Sequence, residues 1–425
     1  MNQATRAPTR GARLRRTRRL LGSASLGLSR ELWLVEIGIF LNMLGYGAVL
    51  PFEIIYLHNG RGFSLGVAGL IIGVVTGAAI VVAPLAGPLI DRFGARPLTA
   101  GAGIALAAGY TGLAFAHVPA EAFASAVLAG VGNGAMNPSQ SALMATLSSS
   151  DLRHRATAVS RVAGNAGIGI GGALGGLMAA YGLSGFVALF LANAVTYVLF
   201  VGVLLAVVRK VARPEPIQAG YRLVLRDRPF IRLAAVHVAV IAVGWGVFTW
   251  LVPPFARNDV GVSTRLIGLI LLANAATVTL AQIPVARLAE GRRRVVMIAL
   301  AAALLVVASS LVLLAQVGAA FAVLVAASVM VAVGECLYTT VLTPLVVDLA
   351  PEGLRGRYLA SMGFAWWIGL TIAPTFGAML LSVSPTATFA AAAALAAGAG
   401  ISSLRLERRL PDAARRTPRP ARVRA

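Results

Sequence analysis

Few acidic side chains in this sequence could carry a proton, and Glu335 has the most unusual surroundings. It falls at the centre of an apolar stretch, 320–349, where a carboxyl group costs about 2.5–3.5 kcal/mol on membrane-insertion scales. Glu36 and Glu53 instead lie near the ends of their apolar stretch, where a side chain can reach a membrane interface. We therefore predict that Glu335, assisted by Glu53, takes up and releases a proton. The alternative is a structural Glu335, permanently paired with an Asn or Arg of a neighbouring helix.

Polar and aromatic side chains at helical spacing could bind a small molecule. Asn42, Tyr46 and Glu53 share one stripe of a helix, and a second polar stripe follows the i, i+4, i+7 spacing at 133, 137 and 140. The alternative for both stripes is hydrogen bonding between helices, worth about 0.6 kcal/mol for each bond. Aromatic residues of three further stretches could line a promiscuous pocket. The predicted substrate-binding residues are Asn42, Tyr46, Asn133, Asn137, Gln140, Trp245, Tyr338 and Trp366.

The other reactive groups are too scattered to form a catalytic or metal site. The four His residues lie at positions 58, 117, 154 and 237, and the single cysteine, Cys336, permits no internal disulfide. A G-x-G-x-x-G string at 167–172 lacks the preceding strand that a dinucleotide site needs. We predict no enzyme activity, no metal and no cofactor, with the proton as the coupling ion.

The elements that carry these residues are predicted from composition. Of 425 residues, 58% are hydrophobic and only 12% are charged, against about 25% charged in soluble domains. A stretch of about 20 apolar residues spans the hydrocarbon layer of a bilayer and must be helical there, because no water satisfies its backbone groups. The sequence has twelve such stretches: Trp33–Leu57, Gly66–Ile90, Leu98–His117, Ala122–Leu147, Ala158–Tyr181, Gly185–Val208, Ile231–Ala256, Arg265–Ala289, Val295–Gln316, Ala320–Leu349, Tyr358–Ser382 and Ala387–Leu404.

The basic residues predict the orientation of these helices. With both termini on one side, all but three of the 37 Lys and Arg residues fall on that side, the exceptions being Arg61, Arg257 and Arg265. This is the positive-inside pattern, so we predict that both tails and the middle loop are cytoplasmic. The Ala- and Arg-rich, Lys-poor composition is compatible with a bacterial plasma membrane. The basic N-tail is predicted to hold anionic lipid, the alternatives being a transit peptide or nucleic-acid binding. No nucleic-acid partner is predicted.

An internal repeat predicts two related halves. Shifting the chain by 202 residues aligns the fourth and fifth stretches with the tenth and eleventh without a gap, including the loop string Leu-Arg-x-Arg at 152 and 354. Parallel repeats with a binding site at their interface are typical of alternating-access transporters. The predicted domains are an N-tail (1–30), a first six-helix bundle (31–208), a linker (209–230), a second bundle (231–404) and a C-tail (405–425).

The loop after the second stretch carries a recognisable motif. It contains Gly87, Asp91, Arg92, Gly94 and Arg96. This pattern resembles the signature of the major facilitator superfamily, although Ala95 replaces a usual Arg. The resemblance implies a conformational latch, in which the aspartate docks near the start of the eleventh helix and holds the cytoplasmic side closed. The duplicate loop after the eighth stretch has Leu288 where the aspartate is expected.

Glycines of the fifth stretch extend this resemblance. Gly167, Gly171 and Gly175, with Pro374 and Gly377 at the equivalent part of the eleventh stretch, are predicted to let helices pack closely. The pattern resembles the drug:proton antiporter branch of the superfamily, with Gly172 in place of its usual Pro. Generic helix packing is the alternative. The branch usually has an Arg in the fourth helix, where this sequence has Gly130.

Together these features predict an all-α integral membrane protein with twelve transmembrane helices in two six-helix, pseudo-symmetric bundles. The resemblance implies a monomeric secondary active transporter that exports small lipophilic or drug-like molecules in exchange for protons by rocker-switch alternating access. The alternative is an uptake symporter or facilitator for a small organic solute with the same fold. The sequence does not identify the substrate.

Overall fold

The computed structural model describes residues 27–148, 152–208, 222–351 and 354–417, with the side chains of residues 153, 154 and 413 left out. Most of the predicted N-tail, much of the linker and the end of the C-tail lie outside these ranges. The described residues form twelve long helices: α1 (Arg30–Gly60), α2 (Leu65–Phe93), α3 (Ala95–Phe115), α4 (Pro119–Leu147), α5 (Arg153–Ala179), α6 (Leu183–Val207), α7 (Arg228–Asn258), α8 (Thr264–Ala289), α9 (Arg294–Leu314), α10 (Ala320–Leu349), α11 (Arg355–Val383) and α12 (Pro385–Arg409).

Eleven of these twelve described helices are long and apolar enough to cross a membrane. The other, α4, has 29 residues but includes the polar stripe at 133, 137 and 140, which lowers its hydropathy. It packs against α2 and α3 like its neighbours. The prediction of an all-α membrane protein is therefore confirmed.

The helices begin and end where local sequence dictates. The side chains of Ser29, Ser64, Ser263 and Ser384 each accept a hydrogen bond from a backbone N–H of the first turn that follows. Gly94 ends α2 with a φ of +91°, which residues with a side chain rarely adopt. The glycine of the predicted latch motif therefore makes the tight turn between α2 and α3.

Helix contacts group the first six long helices together and the last six together, and the two groups meet along three seams. In the first half α1 packs on α5 and α6, and α3 packs on α4 and α6; in the second half α9 packs on α10 and α12, and α7 on α11 and α12. The seams between halves are α2 with α11, α5 with α8, and the ends of α1 and α7, which lie near each other.

The repeat is visible in the backbone. Helix α5 begins at Arg153 and α11 begins at Arg355, the position that corresponds to it at the offset of 202. The preceding residues have nearly the same conformation, with φ and ψ of −103° and −7° at Leu152 and −106° and −4° at Leu354. The matching loop strings therefore start equivalent helices in the same way.

The bundle is closed at one end and open at the other. We call the end where α1 begins, with the α2–α3 and α8–α9 loops, the arginine-rich face, and the other end the opposite face. Near the opposite face, a Cβ atom added at Gly69 or Gly73 of α2 would overlap α11. A Cβ atom added at Gly77 would lie 3.8 Å from the nearest atom, in the side chain of Thr371 of α11. One added at Gly87 would meet no atom of another part of the structure within 4 Å. Helices α2 and α11 therefore diverge toward the arginine-rich face.

The C-terminal segment packs on the α8–α9 loop at the arginine-rich face. Arg293 forms an ion pair with Glu407, and the backbone N–H of Thr417 donates to the carbonyl of Arg292 over 3.0 Å. Arg294, only 2% exposed, forms an ion pair of 2.6 Å with Asp348 of α10. These contacts hold the loop against its own half of the molecule.

Candidate functional site

Two cavities lie between α5 of the first half and the helices of the second half. The smaller, about 80 Å³, is lined by α1, α5, α7, α8 and α10, and includes Asn165, Thr249 and Asn274. The larger, about 290 Å³, is lined by α5, α7, α9, α10 and α11. Both cavities share Gly244, Trp245, Val331 and Glu335. Glu335 therefore lies in the wall that the two cavities have in common.

Glu335 lies at mid-length of α10 and faces these cavities rather than lipid. Trp245 of α7 lies beside its carboxyl group, and Arg161 of α5 is the cation that acts on it electrostatically. Within the described part of the chain, no Lys, Arg or His nitrogen lies within 4.0 Å of its carboxylate. The carboxyl group therefore stands beside open space without a fixed counter-ion in this conformation.

Aromatic rings form one side of the larger cavity. Trp366 packs on Trp245, with ring centroids 5.4 Å apart, and on His237 at 6.0 Å. The Nδ1 atom of His237 lies 2.7 Å from the hydroxyl of Tyr338, which also lines the cavity. Of the adjacent pair in α11, Trp366 lines the cavity, whereas Trp367 packs partly buried against the core.

Sequence reasoning missed two residues of this cavity. The charge pattern assigns Arg161 to the basic residues of a loop, but α5 begins at Arg153, so Arg161 lies about two turns inside the helix. Its position one turn before Asn165, which lines the smaller cavity, is the signal that could have identified it. His237 received no role because it lies near the end of its apolar stretch; the structure places it in the cavity wall.

Glu53 lies in a second polar cluster, at the seam between the halves near the opposite face. Its Oε1 accepts a hydrogen bond of 3.0 Å from the hydroxyl of Tyr110 in the same half. Its Oε2 accepts one of 2.9 Å from the indole N–H of Trp250 in the other half. We call the hydrogen bond between Glu53 and Trp250 the clasp. A further bond of 2.8 Å between Asn59 and Asn258 joins the ends of α1 and α7 beyond it.

The expectation that Glu36 and Glu53 reach a membrane interface is wrong. Both are only 2% exposed. Helix α1 extends to Gly60, which places Glu53 about two turns inside the helix. Glu36 faces α5, where it accepts a hydrogen bond of 2.6 Å from Ser160.

The other predicted substrate-binding residues lie outside both cavities. Asn42 is buried beside Tyr197, and Tyr46 lies close to Glu53. On α4, Asn137 is exposed and its two partners of the polar stripe are half-buried. Neither cavity is lined by any of these five residues. Of the eight predicted residues, the structure brings together Trp245, Tyr338 and Trp366, and contact of the rest with substrate stays a prediction.

Comparison with known proteins places this geometry in a family. Residues 35–253 and 235–424 each match the sequence profile of the Major Facilitator Superfamily. The chain belongs to the Major Facilitator Superfamily. It is therefore a secondary transporter and a multi-pass membrane protein rather than an enzyme.

The chain is similar to several bacterial members of this superfamily. It is 28% identical to the uncharacterized transporter YttB of Bacillus subtilis (strain 168), over 83% of this chain and 89% of that protein. It is also 28% identical to the multidrug resistance protein MdtH of Aeromonas salmonicida, over 78% of this chain and 82% of that protein. Both are distant relatives whose similarity to this chain extends over most of the length of each protein.

Solved structures of the superfamily share the fold. A bacterial homologue of the lysosomal transporter Spinster, in an inward-facing and occupied conformation, has a TM-score of 0.74 at 14% identity, covering 92% of this chain and 98% of that one. A POT family transporter in complex with 5-aminolevulinic acid also has a TM-score of 0.74, at 14% identity, covering 88% and 96%.

The superfamily's latch motif is not engaged in this conformation. Gly87 has open space around it, and Asp91 has no hydrogen bond or ion pair with any described residue. Arg96 instead donates to the carbonyl of Leu205 over 2.8 Å, and Arg92 packs over the ring of Phe93. Because α2 and α11 are apart at the arginine-rich face, the predicted docking of Asp91 stays a prediction for the conformation closed at that face.

The glycines of α5 form two different contacts in this superfamily member. Gly167, Gly171 and Gly175 face the backbone of α1 in the same half. The next set around the helix, Gly169, Gly172 and Gly176, faces α8 in the other half. In α11, the carbonyl of Pro374 lies against Gly69, and Gly377 lies against Leu251.

Proposed function

We propose that this chain is a secondary active exporter that exchanges small lipophilic or drug-like molecules for protons. The observation that carries the proposal is Glu335, a carboxyl group at mid-depth that lines both cavities and has no ion pair with the described residues. A carboxyl group within a membrane protein is costly and marks an ion or substrate pathway by default. The proton and the substrate occupy it alternately, which couples the two flows.

The cavity walls favour lipophilic cargo. Trp245, Trp366 and Tyr338 line the larger cavity, and aromatic side chains bind apolar or aromatic molecules through their large contact area. The volume, about 290 Å³, lies near the lower end of the roughly 300–1,000 Å³ typical of small-molecule sites. The similarity to MdtH proteins, named for multidrug resistance, supports the same conclusion.

The transport cycle follows from the two ends of the bundle. We propose that the arginine-rich face is cytoplasmic, so the structure corresponds to an inward-open state in which substrate enters from the cell. Rocking of the halves then breaks the clasp between Glu53 and Trp250 and closes the arginine-rich face. In that state Asp91 docks near the start of α11, as the latch motif implies.

Transport in everted membrane vesicles tests the proposal. The measured signal is the drug-dependent collapse of an imposed pH gradient, over a panel of lipophilic drugs. We expect Glu335→Gln to abolish this collapse, because the neutral amide cannot carry a proton, while drug-for-drug counterflow of an uncharged drug persists, because such a drug needs no carboxylate to bind. The matched control is Glu290→Gln, which removes one acid from an exposed position at the end of α8.

The outcome also decides the direction of transport. Exporters in everted vesicles accumulate drug when the interior is acidified, whereas uptake symporters lose it. If Glu335→Gln kept proton-driven transport at the level of the Glu290→Gln control, proton coupling at Glu335 would be wrong.

A further inference from the structure

The larger cavity holds two opposite charges that belong to different halves of the molecule. Arg161 stands on α5 of the first half, and Glu335 stands on α10 of the second half; both line the cavity. Their side chains are not paired with each other, because no ion pair within 4.0 Å joins them. The two groups line one cavity without a direct ion pair, and Arg161 still acts on the Glu335 carboxylate electrostatically.

Neither charge has an ion-pair partner among the described residues. No described carboxylate lies within 4.0 Å of Arg161, and no described cation lies within 4.0 Å of Glu335. Two other titratable side chains, His237 and Tyr338, are among the described residues that line this cavity. They contact each other over 2.7 Å, and neither forms an ion pair with Arg161 or Glu335. A charged group beside a low-dielectric cavity is stabilised by a partner of opposite charge.

A ligand with both charges satisfies both groups at once. A guanidinium group holds a carboxylate through two parallel hydrogen bonds, and a carboxylate accepts hydrogen bonds from an ammonium group. The indole of Trp245 lines the cavity beside Glu335, and an aromatic ring near a bound cation adds to the attraction at that end. Between the two ends, Trp366 offers a surface for an aromatic body.

We propose that the larger cavity selects zwitterionic aromatic molecules, with the ligand's carboxylate on Arg161 and its ammonium group on Glu335. The inference rests on the proposed function, because it names the substrate class of the same site. It also gives the ligand a mechanical role. A zwitterion contacts both halves and draws them together at the arginine-rich face, whereas a simple cation contacts the second half alone.

Binding of a matched ligand series to the purified full-length protein tests this inference. The probes are naphthylalanine, which is a zwitterion, its methyl ester, which is a cation, and its N-acetyl derivative, which is an anion. Isothermal titration calorimetry gives the Kd of each for the wild type, for Arg161→Gln and for Arg161→Lys. The matched control is Arg287→Gln, which removes one exposed cation from the same face.

We expect the wild type to bind the zwitterion more tightly than either derivative. Arg161→Gln should weaken zwitterion binding about tenfold or more, in line with the strength of charge-assisted hydrogen bonds, and change binding of the ester less than threefold. Arg161→Lys should restore part of the zwitterion affinity, because it keeps the charge without the two-pronged geometry. Arg287→Gln should leave all three affinities unchanged.

Two results would overturn the inference: equal weakening of zwitterion and ester by Arg161→Gln, or a wild type that binds the ester as tightly as the zwitterion. Absence of binding of all three probes would overturn it as well. Binding in detergent needs no proton gradient, so the result is independent of the vesicle experiment. Zwitterion binding that depends on Arg161 together with absent proton-driven export would leave the inference standing and reject the proposed function.

Discussion

At the scale of single residues, the most consequential contact joins the halves near the opposite face. The Glu53 carboxylate receives one hydrogen bond from its own half, through Tyr110, and one from the other half, through Trp250. The first bond survives any movement of the halves as rigid bodies, whereas the second exists only while the opposite face is closed. The clasp therefore contributes to the balance between conformations, and the bond from Tyr110 contributes to the stability of the first half.

Separate substitutions of Trp250 and Tyr110, the two donors to Glu53, test whether only the bond between the halves affects the conformational balance. Trp250→Phe should raise the population open at the opposite face about threefold, since a hydrogen bond between membrane helices is worth about 0.6 kcal/mol. Double electron–electron resonance between spin labels at Val118 and Val317, in a Cys336→Ala background, reports the separation of the halves. The matched control is Tyr110→Phe, which removes the other bond to the same carboxylate and should leave the distance distribution unchanged. Equal shifts in both variants would contradict the role of the clasp.

The sequence predicts some of these residues and not others, for physical reasons. Glu335 could be identified because an acid in the middle of an apolar helix is costly, whatever surrounds it. Trp250 could not be identified as a donor, because its partner is 197 residues away and only the assembled halves bring them together. Arg161 resembled the basic residues of the nearby loop, and its cavity position became visible only with the start of α5.

At the scale of helices, α5 serves two neighbours through two sets of glycines. The set that faces α1 lies within one half and stays packed throughout a rigid-body cycle. The set that faces α8 lies on a seam between halves. At both contacts, glycine allows the helix backbones to approach more closely than a larger side chain would permit. The helix positions themselves follow from hydropathy, but the division of the glycines between two partners requires the packed structure.

Alanine substitutions on α5 should separate a packed glycine from an unpacked one. Gly171→Ala should lower the Tm of the detergent-solubilised protein or prevent folding, because the new Cβ would overlap the backbone carbonyl of Leu44, and overpacking costs about 1–3 kcal/mol. The matched control is Gly164→Ala on the same helix, where the nearest atom, in the side chain of Met43, is 4.0 Å away. Thermal unfolding followed by thiol-reactive fluorescence at Cys336 measures both variants. A stable Gly171→Ala protein would show that α1 and α5 are not in close contact.

At the scale of the whole molecule, charge is distributed unevenly between the two ends. The sequence predicts that all but three of the 37 Lys and Arg residues lie on the side of the tails. The twelve long helices of the described residues place the α2–α3 and α8–α9 loops at that same end. Hydropathy and charge together therefore predict the architecture well. They do not predict which end is open, because that depends on the relative orientation of the two halves.

Cysteine labelling in intact cells should establish the orientation. In a Cys336→Ala background, His117→Cys and Val317→Cys occupy exposed loops at the opposite face and should react with a membrane-impermeant maleimide. Glu290→Cys, exposed at the arginine-rich face, should react only after permeabilisation. The reverse pattern would place the arginine-rich face outside. Labelling of position 117 and position 317 from different sides would show that α4 does not cross the membrane.

The bare backbone surface between α5 and α8 has a mechanical consequence. Around Gly176 and Gly268 the two halves meet backbone to backbone, whereas one turn away the side chain of Leu271 lies against Gly172. When two helices separate along such a surface, no interdigitated side chain has to change its rotamer. The halves can therefore separate and come together again there with a low barrier. Resistance to the rocking motion then comes mainly from the hydrogen bonds that join the halves elsewhere, Glu53 with Trp250 and Asn59 with Asn258. Substitutions at those bonds are therefore expected to change the rate of turnover.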